Sequence, residues 1–184
     1  MIEPKLTVEL IPSTVFFSNV RSNIPKKEWD RLRKESYEKA NYKCEICQDN
    51  GKNQGYKHPV ECHEIWDYNY SNNTQKLIGL ISLCPRCHQI KHIGRTFAVG
   101  KQAEAFKHIE KVNNWNHKQV VDYLANCFIE HKRKSQINWK LDLNILKEEF
   151  GVGKLEVVKG QTTRNSAKKE FWRKVKKKKK GVKK

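Results

Sequence analysis

Two Cys-x-x-Cys pairs, Cys44-Glu-Ile-Cys47 and Cys84-Pro-Arg-Cys87, hold the residues best suited to chemistry in this chain of 184 residues. Each pair can aim two thiolates at one point, and the two together complete a tetrahedral shell for Zn²⁺. Redox chemistry fits less well, because no thioredoxin-like βαβ pattern surrounds either pair. A finger built from Cys44, Cys47, His88 and His92 would set its pairs too far apart and leave Cys84 and Cys87 unused. Cys62 and Cys127 fall outside the pairs, one in a strand pattern and one on an apolar helix face, and read as ordinary buried thiols.

A second group of reactive side chains adjoins the second pair. His88 and His92 stand four residues apart, so on a helix both imidazoles project from one face toward a metal of their own. His63 and Glu64 lie in an earlier strand pattern, and folding that strand back brings them near the helical face. Three histidines and one carboxylate can make a hydrolytic centre. Phosphodiester hydrolysis needs a water deprotonated near neutral pH, charge stabilisation on the phosphate and help for the leaving oxygen. One histidine base and one divalent cation supply these.

The elements that must position these groups can be read from hydrophobic period and turn residues. Lys5 to Ile11 alternates Leu6, Val8 and Leu10 with polar neighbours and predicts a short strand before Pro12. Pro25 to Ala40 predicts an amphipathic helix with Trp29, Leu32 and Tyr37 on one side. After a loop marked by Asn50, Gly51 and Gly55, the residues from Pro59 to Trp66 read as a strand and Leu77 to Leu83 as its returning partner. Pro85 suits a first helical turn, so a short helix runs to about Ile93, with Gly94 expected to stop it. Zinc would then staple the ends of a hairpin and fix the helix that follows. Two further helices carry Ala103, Phe106, Ile109 and Val112, then Val120, Val121, Leu124, Phe128 and His131. Trp139, Leu141 and Leu143 alternate like a strand, and Leu146 and Phe150 predict a closing helical turn.

The run Cys44-x-x-Cys47, Cys62-His63-Glu64-Ile65, Leu83-Cys84-x-x-Cys87-His88-x-x-x-His92 resembles the HNH endonuclease family over roughly residues 42–94. The flanks around Val20-Arg-Ser-Asn23 with Trp29, and around Ile137-Asn-Trp139-Lys-Leu-Asp142, also look like those of uncharacterised phage and bacterial HNH proteins. The resemblance implies a ββα-metal fold, in which two antiparallel strands and a helix grip one divalent ion and the helix is placed at the minor groove of DNA. It implies that the first motif histidine activates water and that helical histidines bind metal. Carried onto this chain, His63 and His88 with Glu64 form the catalytic set. His88 and His92 take the catalytic cation, Mg²⁺, Mn²⁺, Ni²⁺ or Zn²⁺. Cys44, Cys47, Cys84 and Cys87 take the structural zinc.

The chain departs from the family pattern twice. Many members have Asp-His or His-His where this chain has His63-Glu64, so either His63 is the base or it binds metal and Glu64 is the base. An imidazole with an unperturbed pKa of about 6.5 suits proton abstraction at neutral pH better than a carboxylate at about 4.3, which favours His63. The middle Asn that helps orient the base is also missing, since Gly79 occupies its place; Asn69, Asn72 and Asn73 are the nearby substitutes. His58, His108, His117 and His131 lie outside the motif and read as surface or packing residues.

Lys and Arg total 38 against 20 Asp and Glu, a net charge of +18, and the first partner to expect is nucleic acid. Lys168 to Lys184 holds eleven basic residues against the single acid Glu170, and the rest of the chain carries the other +8. A basic body as well as a basic tail fits a folded surface that meets DNA, mainly through phosphates. The lysine run has too little apolar content to bury and is expected to stay disordered until nucleic acid is present, with Phe171, Trp172 and Val175 as local anchors. No apolar stretch approaches the length that spans a bilayer and the first ten residues lack a signal-peptide pattern, so the expectation is a cytoplasmic protein with no membrane partner.

The fold expected is therefore α+β, a zinc-stapled centre with flanking helices and a basic C-terminal tail. Residues 1–41 supply a strand and helix, 42–94 the nuclease centre, 95–153 a helical extension and 154–184 the linker and tail. The leading function is metal-dependent hydrolysis of DNA, and its rival is a catalytically inactive zinc-containing nucleic-acid-binding module. A RING-like interaction module would need an acidic or neutral docking surface and a cross-braced series of further ligands, and the sequence offers neither.

Overall fold

The structure, a computed structural model, describes residues 3–15, 19–153 and 155. The Lys168–Lys184 run and its aromatic residues lie outside the described residues. Within them the chain is mixed α+β, with one small three-stranded sheet and helices on both sides of it.

Helix α1 (Lys26–Lys39) begins directly after Pro25, whose fixed φ suits the entry, and buries Leu32 while Trp29 covers the adjoining core. Strands β1 (Glu61–Asn69) and β2 (Thr74–Leu83) form an antiparallel hairpin in which His63 stands opposite Ile81. The ladder pairs Ile65 with Gly79 and then Trp66 with Leu77, so Ile78 is left over as a bulge and is 49% exposed. Both strands run longer than their apolar patterns predict, because Asp67 to Asn69 and Thr74 to Lys76 continue the ladder down to the turn.

Helix α2 (Pro85–Lys91) starts with Pro85 in its first turn and Cys84 at the N-cap. It ends where His92 leaves helical geometry, at φ −101° and ψ 45°, and α3 (Ile93–Ala98) follows at once. Gly94 therefore lies inside a helix and does not terminate one. A β-carbon there would lie 3.4 Å from Leu10 Cδ2, the movable end of a side chain, so Leu10 packs over this turn without requiring glycine. Gly51 is under a stricter demand, since a β-carbon would meet the His58 carbonyl oxygen at 2.2 Å and Pro85 Cδ at 2.8 Å.

Helices α4 (Gln102–Asn113) and α5 (His117–Lys134) form where the two stripes predict them and bury Ala105, Ile109, Val120 and Leu124, whereas Ala103, Val121 and Phe128 of the predicted stripes are exposed. Strand β3 (Lys140–Asp142) joins the free edge of β2 in parallel, and α6 (Ile145–Glu148) closes the described chain. One core cluster lies between the cysteine pairs, α2, α3, α4 and α5, with Ile90, Ile93 and Ile109 fully or almost fully buried. A second gathers Val20, Ile24, Leu32, Leu77 and Leu146. Truncating one such residue to Ala costs about 2–5 kcal/mol.

The predicted strand over Lys5 to Ile11 does not form. Its alternation is real, with Leu6 wholly buried, but its backbone finds other partners. The Leu6 N–H donates to Asn113 Oδ1 at 2.8 Å and the Val8 N–H to the Tyr123 hydroxyl at 2.8 Å. The Glu9 N–H donates to the Lys91 carbonyl at 3.1 Å. Side chains of α4 and α5 and the end of α2 thus take the place of a neighbouring strand. Among the described residues, no helix is long and apolar enough to cross a membrane.

Candidate metal centre

The first cysteine pair sits in the turn after α1. Cys44 N–H donates to the Asp49 carbonyl at 2.8 Å and Gln48 N–H to the Cys44 carbonyl at 2.9 Å, while Gln48 takes a positive φ of 63°. The second pair sits where β2 passes into α2, and there the Cys87 N–H reaches Cys84 Sγ at 3.5 Å. The hairpin brings the pairs together: Cys47 Sγ and Cys84 Sγ are 3.6 Å apart, and one sulfur from each of Cys44, Cys47, Cys84 and Cys87 lies within 4.8 Å of the others. All four are free thiols, and Cys44, Cys84 and Cys87 are buried.

Crowding splits their acidities. Hydrogen bonding from Cys47 pulls Cys44 down to about 6, and bonding from Cys44 first, then Cys47 and Cys87, lowers Cys84. Cys47 and Cys87 are pushed up, each first by its bond to Cys44. Four sulfurs this close cannot all ionise without a cation among them, and their donor set and spacing fit zinc. His108 on α4 adds an outer contact, its Nε2 lying 3.2 Å from Cys87 Sγ.

The second cluster lies along the same hairpin and helix. His63 projects from β1, His88 from α2 and His92 from the junction with α3, and their ring nitrogens fall within 4.8 Å of one another. The rings meet edge to face, with centroids 5.3 Å apart for His63 and His88, 5.0 Å for His63 and His92 and 4.7 Å for His88 and His92. Nε2 of His88 stands 3.2 Å from Nε2 of His92. Burial, helped by the neighbouring His88 and His63 charges, lowers His92 to about 3. Burial also lowers His63, against the pull of Glu9. Both effects favour neutral imidazole, the form that ligates metals and accepts protons.

Two carboxylates hold this cluster from outside. Glu61 accepts from Nδ1 of His88 and also bonds His58 Nε2 at 2.9 Å. That bond to His88 lowers the Glu61 pKa despite burial. Glu9 lies 2.9 Å from His63 Nε2 and 2.6 Å from Lys91 Nζ. Burial would raise the Glu9 pKa, but hydrogen bonding to His63 and the charges of His63 and Lys91 together hold it at about 2.

The sequence-predicted residues thus separate. The four cysteines come together, and so do His63, His88 and His92. Glu64 is not brought to the histidines. Successive strand residues face opposite ways, and the Glu64 carboxylate accepts from the Val20 N–H at 2.9 Å, beside the other core cluster. Burial there pushes its pKa up to about 7. Asn69, Asn72 and Asn73 sit at the far end of the hairpin, where the Asn69 side chain accepts from the Ser71 N–H at 2.9 Å. None joins His63.

Sequence reasoning missed Glu61, Glu9, Lys91 and His108. A signal existed for Glu61, which is two residues before His63 and so shares its strand face. His108 is three residues after buried Ala105, at the rim of the α4 stripe, where a helix flank can reach the zinc knuckle. Glu9 has no local signal, because 54 residues separate it from His63. His117 and His131 are engaged elsewhere, with Glu110 and the Ile11 carbonyl. No protein-family model matches this chain, and no curated protein or solved structure matches it significantly.

Proposed function

We propose that this chain is a metal-dependent DNA endonuclease of the HNH type, its β1–β2–α2 unit serving as a ββα-metal centre. The observation that carries the reading is the convergence of His63, His88 and His92 from strand, helix and helix end beside four paired cysteines. The net charge of +18 supports a polyanionic substrate, and exposed Arg95, one turn past His92, adds a cation on that side.

Cys44, Cys47, Cys84 and Cys87 would hold a structural zinc ion, which would lock the hairpin ends to the start of α2. His88 and His92 would hold a divalent cation, which would supply charge neutralisation at the phosphate and at the departing oxygen. His63 is the base. With Glu64 turned to the other face, His63 is the group of the predicted pair that stands in the cluster, and burial keeps its ring neutral and able to accept a proton. It takes a proton from water as the water oxygen bonds to phosphorus. The phosphorus–oxygen ester bond breaks and the leaving oxygen collects a proton from solvent. Glu61 holds the His88 ring so that Nε2 faces inward.

A plasmid-nicking assay with Mg²⁺, Mn²⁺ or Ni²⁺ tests this, comparing wild type with folded, zinc-replete His63→Ala and His88→Ala. Loss of cleavage in both variants is expected. A second reading, an inactive zinc-containing nucleic-acid-binding module, draws on the lack, among the described residues, of an Asn bonded to the His63 ring, whose partner is Glu9. Salt-sensitive DNA binding with no cleavage by wild type under any of the three metals would select it.

A further inference from the structure

A carboxylate delivered from outside the hairpin and helix reaches the histidine cluster at His63. Glu9 is held to α2 at two points: its N–H donates to the Lys91 carbonyl at 3.1 Å, and its Oε1 accepts from Lys91 Nζ at 2.6 Å. Lys91 is itself buried, and its ammonium also donates to Thr7 Oγ1 at 2.7 Å. Leu10 packs over Gly94 just beyond. Residues 7 to 10 are therefore clamped onto the segment that carries His88 and His92. With Oε1 taken by Lys91, Oε2 is the oxygen left for His63, 2.9 Å from its Nε2.

A carboxylate only accepts, so the imidazole nitrogen that meets it must carry the proton. In a neutral ring the other nitrogen then holds the free lone pair. We infer that Glu9 is the positioning residue of His63, fixing its ring in place and in the Nε2–H tautomer so that Nδ1 is the atom that takes a proton or binds a cation. Lys91 sets the carboxylate. The arrangement ties the angle of His63 to the helix bearing the other two histidines, although the three groups come from distant parts of the chain. The geometry stands without any assigned reaction, while its catalytic consequence rests on the nuclease reading.

Long-range ¹H–¹⁵N spectra of the histidine rings test it, recorded on the zinc-replete full chain with the histidine cluster free of added cation. Wild-type His63, assigned by comparison with His63→Ala, should carry its proton on Nε2. The key variant is the double substitution Glu9→Met with Lys91→Met, since removing both charges together leaves no unpaired charge in the interior. It should retain zinc and fold, yet show His63 as a mixture of tautomers. Nicking should fall about 10–100-fold, the usual effect of removing an outer partner of a metal-site histidine. A proton on Nδ1 in wild type overturns the inference, and so does an unchanged Nε2–H tautomer in the folded double variant. If wild type proves unable to cut DNA, the nuclease reading fails and the tautomer still decides the role of Glu9.

Discussion

Nδ1 of His88 is hydrogen-bonded to the Glu61 carboxylate, which leaves Nε2 of the same ring 3.2 Å from Nε2 of His92. An imidazole tied at one nitrogen presents the other as a lone pair of fixed direction. That is how metal-site histidines are commonly held by their outer partners. Glu61→Ala should therefore weaken Mn²⁺ or Ni²⁺ binding about 10–100-fold while zinc content stays unchanged. Calorimetric titration of the zinc-replete protein reads the affinity directly. Equal affinity in wild type and variant would remove Glu61 from the site.

The four-cysteine cluster has a different expected response. Each pair contributes two sulfurs to one shell, and the shell joins the turn after α1 to the start of α2. Stripping it should unfold the centre, because the metal's binding free energy is also folding free energy. Cys84→Ser should lose zinc and the cooperative thermal transition. A weak chelator that removes only the more loosely held cation should abolish nicking and leave circular dichroism unchanged. Loss of folding with the weak chelator would contradict two separate centres.

His108 permits a finer test of the zinc site. Its Nε2 contact to Cys87 Sγ places a ring donor against a thiolate, which helps stabilise that sulfur's charge when zinc is bound. His108→Ala should fold, yet lose zinc to a competing chromophoric chelator about 10–100-fold more readily.

Much of this arrangement is legible in the sequence because it is local. Paired cysteines, Pro85 after Cys84 and the spacing of His88 and His92 each act within one turn of chain. The hairpin follows from two apolar runs with a polar turn between them. Strand parity also separates His63 from Glu64, although adjacency in the motif argues for treating them as one set. The N-terminal segment is harder. Its alternating pattern describes burial correctly, with Leu6 inside, but pattern alone does not reveal that Asn113 and Tyr123 satisfy its backbone. The pairing of Glu9 with His63 depends on that docking and has no sequence period to announce it. Gly94 shows the same limit, since a glycine can end a helix or, as here, sit in its first turn.

Glu64 carries a pH prediction whose sign can be worked out. Burial raises its folded pKa to about 7, above the ordinary 4.5. The folded state therefore binds this proton more tightly than the unfolded state, and stability falls as pH rises through that window. Glu64→Gln keeps an oxygen to accept from the Val20 N–H but has no charge to bury. Above pH 7 it should be more stable than wild type, by on the order of 2–3 kcal/mol, with the gap closing near pH 4.5. Urea unfolding at several pH values measures this. Glu64→Gln should also keep its nicking activity, whereas its loss would return Glu64 to the list of candidate bases.

The basic C-terminal run makes a separate, electrostatic prediction. Lys168 to Lys184 contributes eleven cationic side chains, and contacts to phosphate release counterions without reading sequence. Removing the run should weaken DNA binding at low salt and flatten the dependence of log affinity on log salt. The remaining +8 on the rest of the chain should preserve a shallower slope. Fluorescence anisotropy with a labelled duplex over a salt series reads both quantities. An unchanged slope would place DNA contact on the folded body alone, because losing eleven charges that touch phosphate cannot leave counterion release unaltered.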